Sequence, residues 1–349
     1  MNDPTASAVR QPTSAKGGPA PVERRSCPLC GAIGLSPYAR IDNANFSRRI
    51  TSFDILRCRD CDLAVMDPTA TQQDLDEIYL EHSVFSTAFD NPNIGRFLFR
   101  QLERLYAKYG LYYHFVAKRC LHFLSSSDER PSILDIGCST GRLLAAFRTL
   151  RPDAHLRGID IDPNAPAQAP PSLRDHIMTA DALTFDQDAP CDIITMCFII
   201  EHLLDFQSVM ARAARLLRPG GILCLSTPDL DSAHARQMKA RWRLLNDPHQ
   251  RLGHLCWFNR RSITRLARQH GLEILDLRNR GGLLHHLPLW LQRFMLTLLG
   301  TFPAPSGVRF IRNYQLRMCW AIVLDGLLSQ RLGYGDSLFV FLRKPDKAK

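Results

Sequence analysis

Long hydrophobic runs are missing from this 349-residue sequence. None reaches the roughly 18–20 residues that a membrane-spanning helix requires, so an integral helical membrane protein is not expected. The apolar core of a secretory signal is missing too. The first residues are rich in Pro, Ala, Ser and Gly and read as a disordered leader, 1–25, which makes a cytoplasmic location the expectation. Blocks of like charge are absent. The formal charge of +10 is spread along the chain, so a solvated basic surface is read ahead of attraction to nucleic acid, anionic lipid or a phosphorylated substrate. Internal repeats are absent as well.

What remains is the composition of a soluble globular protein, 45% hydrophobic and 22% charged, long enough for a large domain plus a small one or for two of ordinary size. The 11 cysteines are an odd number. Four of them form two tight pairs near the N-terminus. The others, such as Cys138, Cys191, Cys197 and Cys224, lie in apolar stretches and suit small core residues of a reduced compartment.

The pairs are CPLC, Cys27 to Cys30, and CRDC, Cys58 to Cys61, with 27 residues between them. Each can fold into a knuckle presenting two thiolates, and two knuckles complete a tetrahedron around one zinc ion. With all four positions filled, such a site is closed and structural. It would also stabilise a segment too small to build a core alone, here 26–68. Residues 69–130 read as a helical linker or acceptor-side segment, with Leu98, Leu102, Leu105 and Tyr109 at helical spacing.

From Ser132 the texture changes to alternating strands and helices. Strands are expected at SILDI, at HLRGID ending on Asp160, at HIMTAD ending on Asp181, at CDIITM and at ILCLSTP. Helices are expected at Arg142 to Leu150, with Leu143, Ala146, Phe147 and Leu150 inward, and at Phe206 to Leu217, with Phe206, Val209, Met210, Ala213 and Leu217 inward. RPGG, Arg218 to Gly221, should stop the second helix and start the fifth strand. A helix at Arg261 to His270, a strand at Gly271 to Leu277 and a last strand at Ser337 to Lys344 complete the pattern. Such alternation implies an α/β architecture, a doubly wound sheet of seven strands, mostly parallel, with helices on both faces. Ligands bind at the carboxyl ends of such strands, near the point where strand order reverses. Asp135, Asp160 and Asp181 all fall at strand ends and should line one crevice.

The string ILDIGCSTGRLL resembles the first motif of class I S-adenosylmethionine-dependent methyltransferases, and GIDID, ADAL and the RPGG strand follow in that family's order from Ser132 to about Leu277. The resemblance implies a Rossmann-like methyltransferase core, 131–280, binding S-adenosylmethionine. Gly137 and Gly141 let the backbone approach the ligand. Cys138, Ser139 and Ile161 accompany them. By the resemblance, Asp135 positions the methionine amino group, Asp160 grips the ribose hydroxyls, Asp181 meets the adenine amino group with Ala182 donating an amide, and Phe198 borders the sulfonium. Ser139 replaces the family's middle glycine. It also creates a G-x-S-x-G match, the nucleophile elbow of α/β-hydrolases, for which Asp229 and His254 would have to complete a triad. That serine hydrolase reading is a minor alternative, because it leaves the three strand-end aspartates unexplained. A nicotinamide dehydrogenase would need glycines where Ser139 and Arg142 stand.

The paired cysteines followed by DPTATQQDLDEIY, Asp67 to Tyr79, resemble more loosely the N-terminal part of zinc-containing methyltransferases of sugar and natural-product pathways. Similarly, an EHL-x-D string recurs after the fourth strand of many small-molecule methyltransferases, here Glu201, His202 and Leu203. The resemblance makes His202 the first candidate for general base, with Glu201 beside it. HQRLGHLCWFNRRS resembles the family's GH-x-x-x-F stretch, which puts His254 toward the acceptor with Trp257 and Phe258 as walls. His249 and His254 with Glu201 and His202 could hold a divalent cation as in some members. The upstream glutamate of that pattern is absent, however, with Phe198 in its place, so metal-free proton transfer is the expectation.

Between the last two strands lies a helical insert, 281–335, that could act as a lid or a peripheral membrane-surface patch; the last strand and tail are 336–349. The function expected is methyl transfer from S-adenosylmethionine to a small-molecule acceptor: a sugar, a lipid-linked intermediate or a secondary metabolite. The alternative is an RNA-directed methyltransferase or a zinc-ribbon nucleic-acid-binding protein, using Arg24, Arg25, Arg48, Arg49, Arg57 and Arg59 with Tyr38, Phe46 and Phe53 for stacking.

Overall fold

The structure is a computed structural model that describes residues 26–79, 112–124, 130–187, 189–246, 251–280 and 335–346. The leader, the helical pattern around Leu98 to Tyr109, His249 and nearly all of the 281–335 insert lie outside the described residues.

Two sheets organise the chain. The larger holds seven strands, as the alternation implies. β4 (Ser132–Ile136), β5 (His155–Asp160), β6 (Ile177–Thr179), β7 (Cys191–Cys197) and β8 (Leu217–Pro228) pair in parallel. β11 (Ser337–Arg343) pairs antiparallel with β8, and β10 (Glu273–Arg280) antiparallel with β11. The order is β10-β11-β8-β7-β4-β5-β6. The chain runs outward from β4 in one direction to β5 and β6, then returns to β7 on the other side. The reversal at β4 opens a crevice beyond its carboxyl end.

Alternate residues of these strands face opposite ways, which divides the core in two. On one face Ile133, Ile193, Ile222, Cys224 and Phe339 pack with α2 (Tyr113–Phe123) and α3 (Arg142–Leu150). On the other, Leu134, Ile194, Leu223 and Val340 pack with α5 (Phe206–Leu216) and α7 (Arg260–Gln269). In α3, Leu143, Ala146 and Phe147 are buried as expected and Leu144 joins them, whereas Leu150 is only partly buried. α5 ends at Leu216, not at Leu217, because Leu217 already pairs with Cys191. β8 therefore runs through RPGG. Its irregular register there is held by the Arg218–Asp192 ion pair and by the Gly220 amide donating to the Lys344 carbonyl.

The smaller sheet is antiparallel, in the order β1-β2-β3-β9. β1 (Leu35–Ile41), β2 (Phe53–Cys58) and β3 (Ala64–Asp67) come from the cysteine segment, followed by α1 (Gln72–Tyr79). β9 (Cys256–Trp257) comes from the far end of the chain, with Ala64 opposite Trp257 and Val65 opposite Cys256. Trp257, Trp242, Leu245 and Leu255 share a third core with Ile41, Phe53 and Ile55. Leu29, Leu63 and the cysteines meanwhile pack onto the α5–α7 face of the large sheet. The cysteine segment is thus stitched to the α/β core from two directions.

Candidate functional site

At the crevice, the loop after β4 folds back on β5. Gly137 and Cys138 both donate their amides to the Ile159 carbonyl, at 2.8 and 3.0 Å. Gly137 needs its glycine: φ is +74°, and an added Cβ would fall 2.1 Å from Ile199 Cδ1. Ser139, where the family has glycine, also takes a left-handed φ of +47°. Its amide donates to Asp160 Oδ2 at 2.7 Å, and the Asp162 amide donates to Oδ1 at 2.9 Å. Asp160 therefore pins the loop in a conformation that costs a serine about 1–2 kcal/mol. Ile161 beside it leaves its apolar side chain 44% exposed. Asp135 is buried, accepts a 2.6 Å bond from the Thr195 hydroxyl, and is pushed up to about 7 by burial. Burial also raises Asp160. Asp181 lies two residues past the end of β6, exposed, with Oδ1 accepting from the Leu183 amide at 2.8 Å; Ala182 follows it, partly buried.

Beyond β7, Phe198 (φ +56°) stacks on Tyr112 at 5.5 Å, and the Tyr112 hydroxyl lies 3.2 Å from Ser226 Oγ. Tyr112 carries no sequence signal, because it precedes α2 in a segment that reads only as helical. Glu201 and His202 follow in a turn of 3₁₀ helix. His254 arrives from the strand partner of the small sheet: the Leu255 amide donates to the Glu201 carbonyl at 2.8 Å, and the Leu255 carbonyl accepts from the Met66 amide at 3.0 Å. The His202 and His254 rings sit 4.8 Å apart. Tyr79, the last residue of α1, reaches the pair from the cysteine segment with its hydroxyl 2.7 Å from His202 Nδ1. Sequence reasoning passes over Tyr79 because nothing in QQDLDEIY marks its last residue.

Two expectations are corrected. Trp257 and Phe258 are not pocket walls: both are buried, Trp257 against Phe53 with its indole N–H donating to the Leu244 carbonyl, and Phe258 against Phe206. Trp257 lies in the two-residue strand and Phe258 directly follows it, between two cores that enclose both. A hydrolase triad is not assembled either. His254 Nδ1 is bonded to the Leu244 carbonyl at 2.9 Å, whereas Asp229 accepts from Asn279 and the Asp231 amide.

The four cysteines converge. Cys27 Sγ and Cys61 Sγ are 3.5 Å apart, Cys30 Sγ and Cys58 Sγ 3.6 Å. Sulfurs around a tetrahedral zinc at about 2.3 Å stand roughly 3.8 Å apart, so the cradle fits the ion with little adjustment. The knuckles are alike in build: Gly31 (φ +73°) donates back to Cys27, and Asp62 (φ +64°) donates back to Cys58.

A methyltransferase-domain family profile matches residues 99–277, slightly more than half of the chain. The chain belongs to that family. The seven-stranded sheet and the loop at its reversal point are the fold of class I methyltransferases. The chain is 28% identical over 155 residues to a ubiquinone biosynthesis O-methyltransferase of Cupriavidus pinatubonensis, covering 42% of this chain and 61% of that one. It is 32% identical over 106 residues to a trans-aconitate 2-methyltransferase of Methylobacterium radiotolerans, covering 29% and 40%. To methyltransferase str2 of Strobilurus tenacellus it is 34% identical over 108 residues, covering 31% and 38%. The matches thus span between about two fifths and three fifths of these relatives' lengths.

A substitution at Gly253 separates the two halves of this methyltransferase's site. Gly253 has φ +70°, and a Cβ there would lie 2.4 Å from the Tyr79 hydroxyl. Gly253→Ala should cost about 1–3 kcal/mol and lower the melting midpoint by roughly 1–4 °C. Because the change is remote from the Gly137–Asp160 loop, S-adenosylmethionine affinity by calorimetry should stay within about twofold.

Proposed function

We propose that this protein transfers the methyl group of S-adenosylmethionine to a small-molecule acceptor. The observation that carries this reading is the Asp160-pinned loop at the reversal point of the sheet. In this reading Gly137, Cys138, Ser139 and Gly141 line the backbone of the cofactor, and Asp135 receives its ammonium group. Asp160 and Ile161 meet the ribose and adenine, and Asp181 and Ala182 meet the adenine edge. Phe198, stacked on Tyr112, closes the sulfonium end. Glu201, His202 and His254 face the acceptor side and handle its proton. The cofactor supplies the methyl group; the chain orients the partners and excludes water.

Two further observations favour a small acceptor. The relatives named above include enzymes of ubiquinone biosynthesis and of trans-aconitate methylation. The small sheet also offers little to nucleic acid. Arg48 pairs with Glu77, Arg49 with Asp74, and Arg57 with Asp62 and Asp231, while Phe46 and Phe53 are buried. Arg24 and Arg25 lie outside the described residues. Among the described residues no helix is long and apolar enough to cross a membrane. The cysteine cradle we assign to one structural zinc ion, held by Cys27, Cys30, Cys58 and Cys61.

Isothermal calorimetry tests the central assignment. The purified chain should bind S-adenosylmethionine or its demethylated product. Asp160→Ala removes both a cofactor contact and the anchor of the Ser139 amide, at a cost on the order of 2 kcal/mol, about thirtyfold in affinity. An unmodified chain that binds neither compound sinks the proposal.

A further inference from the structure

A cavity of about 370 Å³ takes none of its walls from the Gly137–Gly141 loop or from Glu201, His202 and His254. Its size is that of a small-molecule site. Separate stretches of chain build it. Asp229 directly follows β8, and Asn279 stands near the end of β10. Arg236 comes from α6 (Ala233–Met238), Arg260 and Arg261 begin α7, and Asp62 reaches in from the second knuckle. Because β11 runs antiparallel to both β8 and β10, these two strands end at one edge of the sheet, and β8 is parallel through β7 to β4. The cavity therefore sits at carboxyl ends of strands, where open α/β sheets bind ligands.

Of the lining residues, only Ala233 and Gly335 lack a polar side chain, and the charges do not pair off. Asp62 accepts from Arg261 and pairs with Arg57, while Asp231 accepts from Arg57 and Asn259. Arg260 donates to neutral acceptors alone, the Leu277 carbonyl and Asn279 Oδ1. Arg236 has no partner among the described residues. Asp229 is buried, accepts from Asn279 Nδ2 and the Asp231 amide, and is raised by its burial toward the neutral form. The guanidiniums of Arg57, Arg236, Arg260 and Arg261 thus outweigh the carboxylates around them, and two of the four carry no carboxylate of their own.

A guanidinium is a planar fork of donors that matches an oxyanion bidentately, and it is more weakly hydrated than an ammonium group. We propose that this cavity is a second small-molecule site, which binds a hydrophilic ligand through a phosphate or carboxylate group held by Arg236 and Arg260. The polar lining gives a hydrocarbon chain nothing to pack against. Asn279, fixed between Arg260 and Asp229, keeps the Arg260 fork in place for the anion.

The test titrates the full chain, with its zinc bound, against inorganic phosphate and separately against acetate at constant ionic strength. Nitrogen–proton NMR follows the arginine Nε–H resonances. The expected result is a saturable shift of two of them, one absent from Arg236→Gln and the other from Arg260→Gln. Each substitution should weaken binding at least about tenfold, the loss of one charge-assisted hydrogen bond. Arg174→Gln, at an exposed arginine beside the opposite edge strand β6, should leave the affinity unchanged. The tighter of the two anions names the group the ligand carries. If Arg260→Gln does not fold, Arg236→Gln decides alone, since it removes no contact among the described residues. Shifts that never saturate, unaltered affinity in the folded variants, or an equal loss in Arg174→Gln overturns the site, the last because it would show diffuse attraction to a basic surface.

Discussion

Replacing Cys58 and Cys61 together by serine is expected to empty the cysteine cradle and to uncouple the small sheet from the methyltransferase core. Elemental analysis after dialysis against a weak chelator should fall from one zinc per chain to near zero. Structural zinc contributes apparent free energies of roughly 10–16 kcal/mol in isolated zinc-finger peptides. Here part of that support is duplicated by the apolar core around Ile41, Phe53 and Trp257. The loss should therefore concentrate in the knuckles and in Leu29 and Leu63, which lean on α5 and α7. Amide exchange should accelerate there and along β2 and β3, and the displacement should reach Tyr79 through α1, so acceptor turnover should collapse. Cofactor affinity should survive within a few-fold, because the Ser139–Asp160 loop is held by its own hydrogen bonds to β5 and Asp160. Stoichiometric zinc retained by the double variant would place the metal elsewhere.

That separation was only half legible in the sequence. The seven strands, their order of appearance and the strand-end carboxylates follow from short apolar runs with punctuation between them, and the structure places Ser132–Ile136, His155–Asp160 and Ser337–Arg343 almost residue for residue. Local signals suffice for such elements. The small sheet was not legible, because its fourth strand is two residues long and joins a partner nearly 200 positions away. No periodicity marks a two-residue strand. Trp257 and Phe258 were misplaced for the same reason: an aromatic pair beside a histidine reads equally as pocket wall or as core, and only the pairing with β3 shows that cores lie on both sides. RPGG, read as the stop of the helix and the start of the strand, does end the helix at Leu216, and β8 begins one residue earlier than RPGG, at Leu217. The ion pair from Arg218 to Asp192 carries β8 through it.

The candidate site divides along the same line. Asp135, Asp160 and the loop glycines lie within one stretch of chain, and their chemistry was visible as a motif. The acceptor side is assembled from three distant segments: Tyr79, the Glu201–His202 turn and the Gly253–His254 approach to β9. Each alone is unremarkable. Their meeting exists only in three dimensions.

Cofactor binding should depend on pH through Asp135. Burial pushes this carboxyl up to about 7 in the free protein, with nearby Asp160 adding to the rise and the Thr195 hydroxyl opposing it. In the role proposed for it, Asp135 meets an ammonium group and must be ionised, so binding expels its proton. Affinity should be flat just above pH 7 and fall about tenfold per unit as pH drops below 7, reaching roughly a hundredfold loss at pH 5. The ligand-free fold should respond in the opposite direction. A carboxyl raised above its unfolded value favours the native state below about pH 4, and that contribution is lost as pH rises through about 7. The thermal shift produced by S-adenosylmethionine should therefore shrink on acidification even where this group stabilises the free protein. Asp135→Asn, which cannot ionise, should bind about tenfold to a hundredfold more weakly at pH 8, the cost of a charge-assisted hydrogen bond, and should lose the dependence between pH 5 and 7. Calorimetric titrations at four or more pH values decide it. An unmodified protein whose affinity is level from pH 5 to 8 would place the cofactor's ammonium group on some other acceptor.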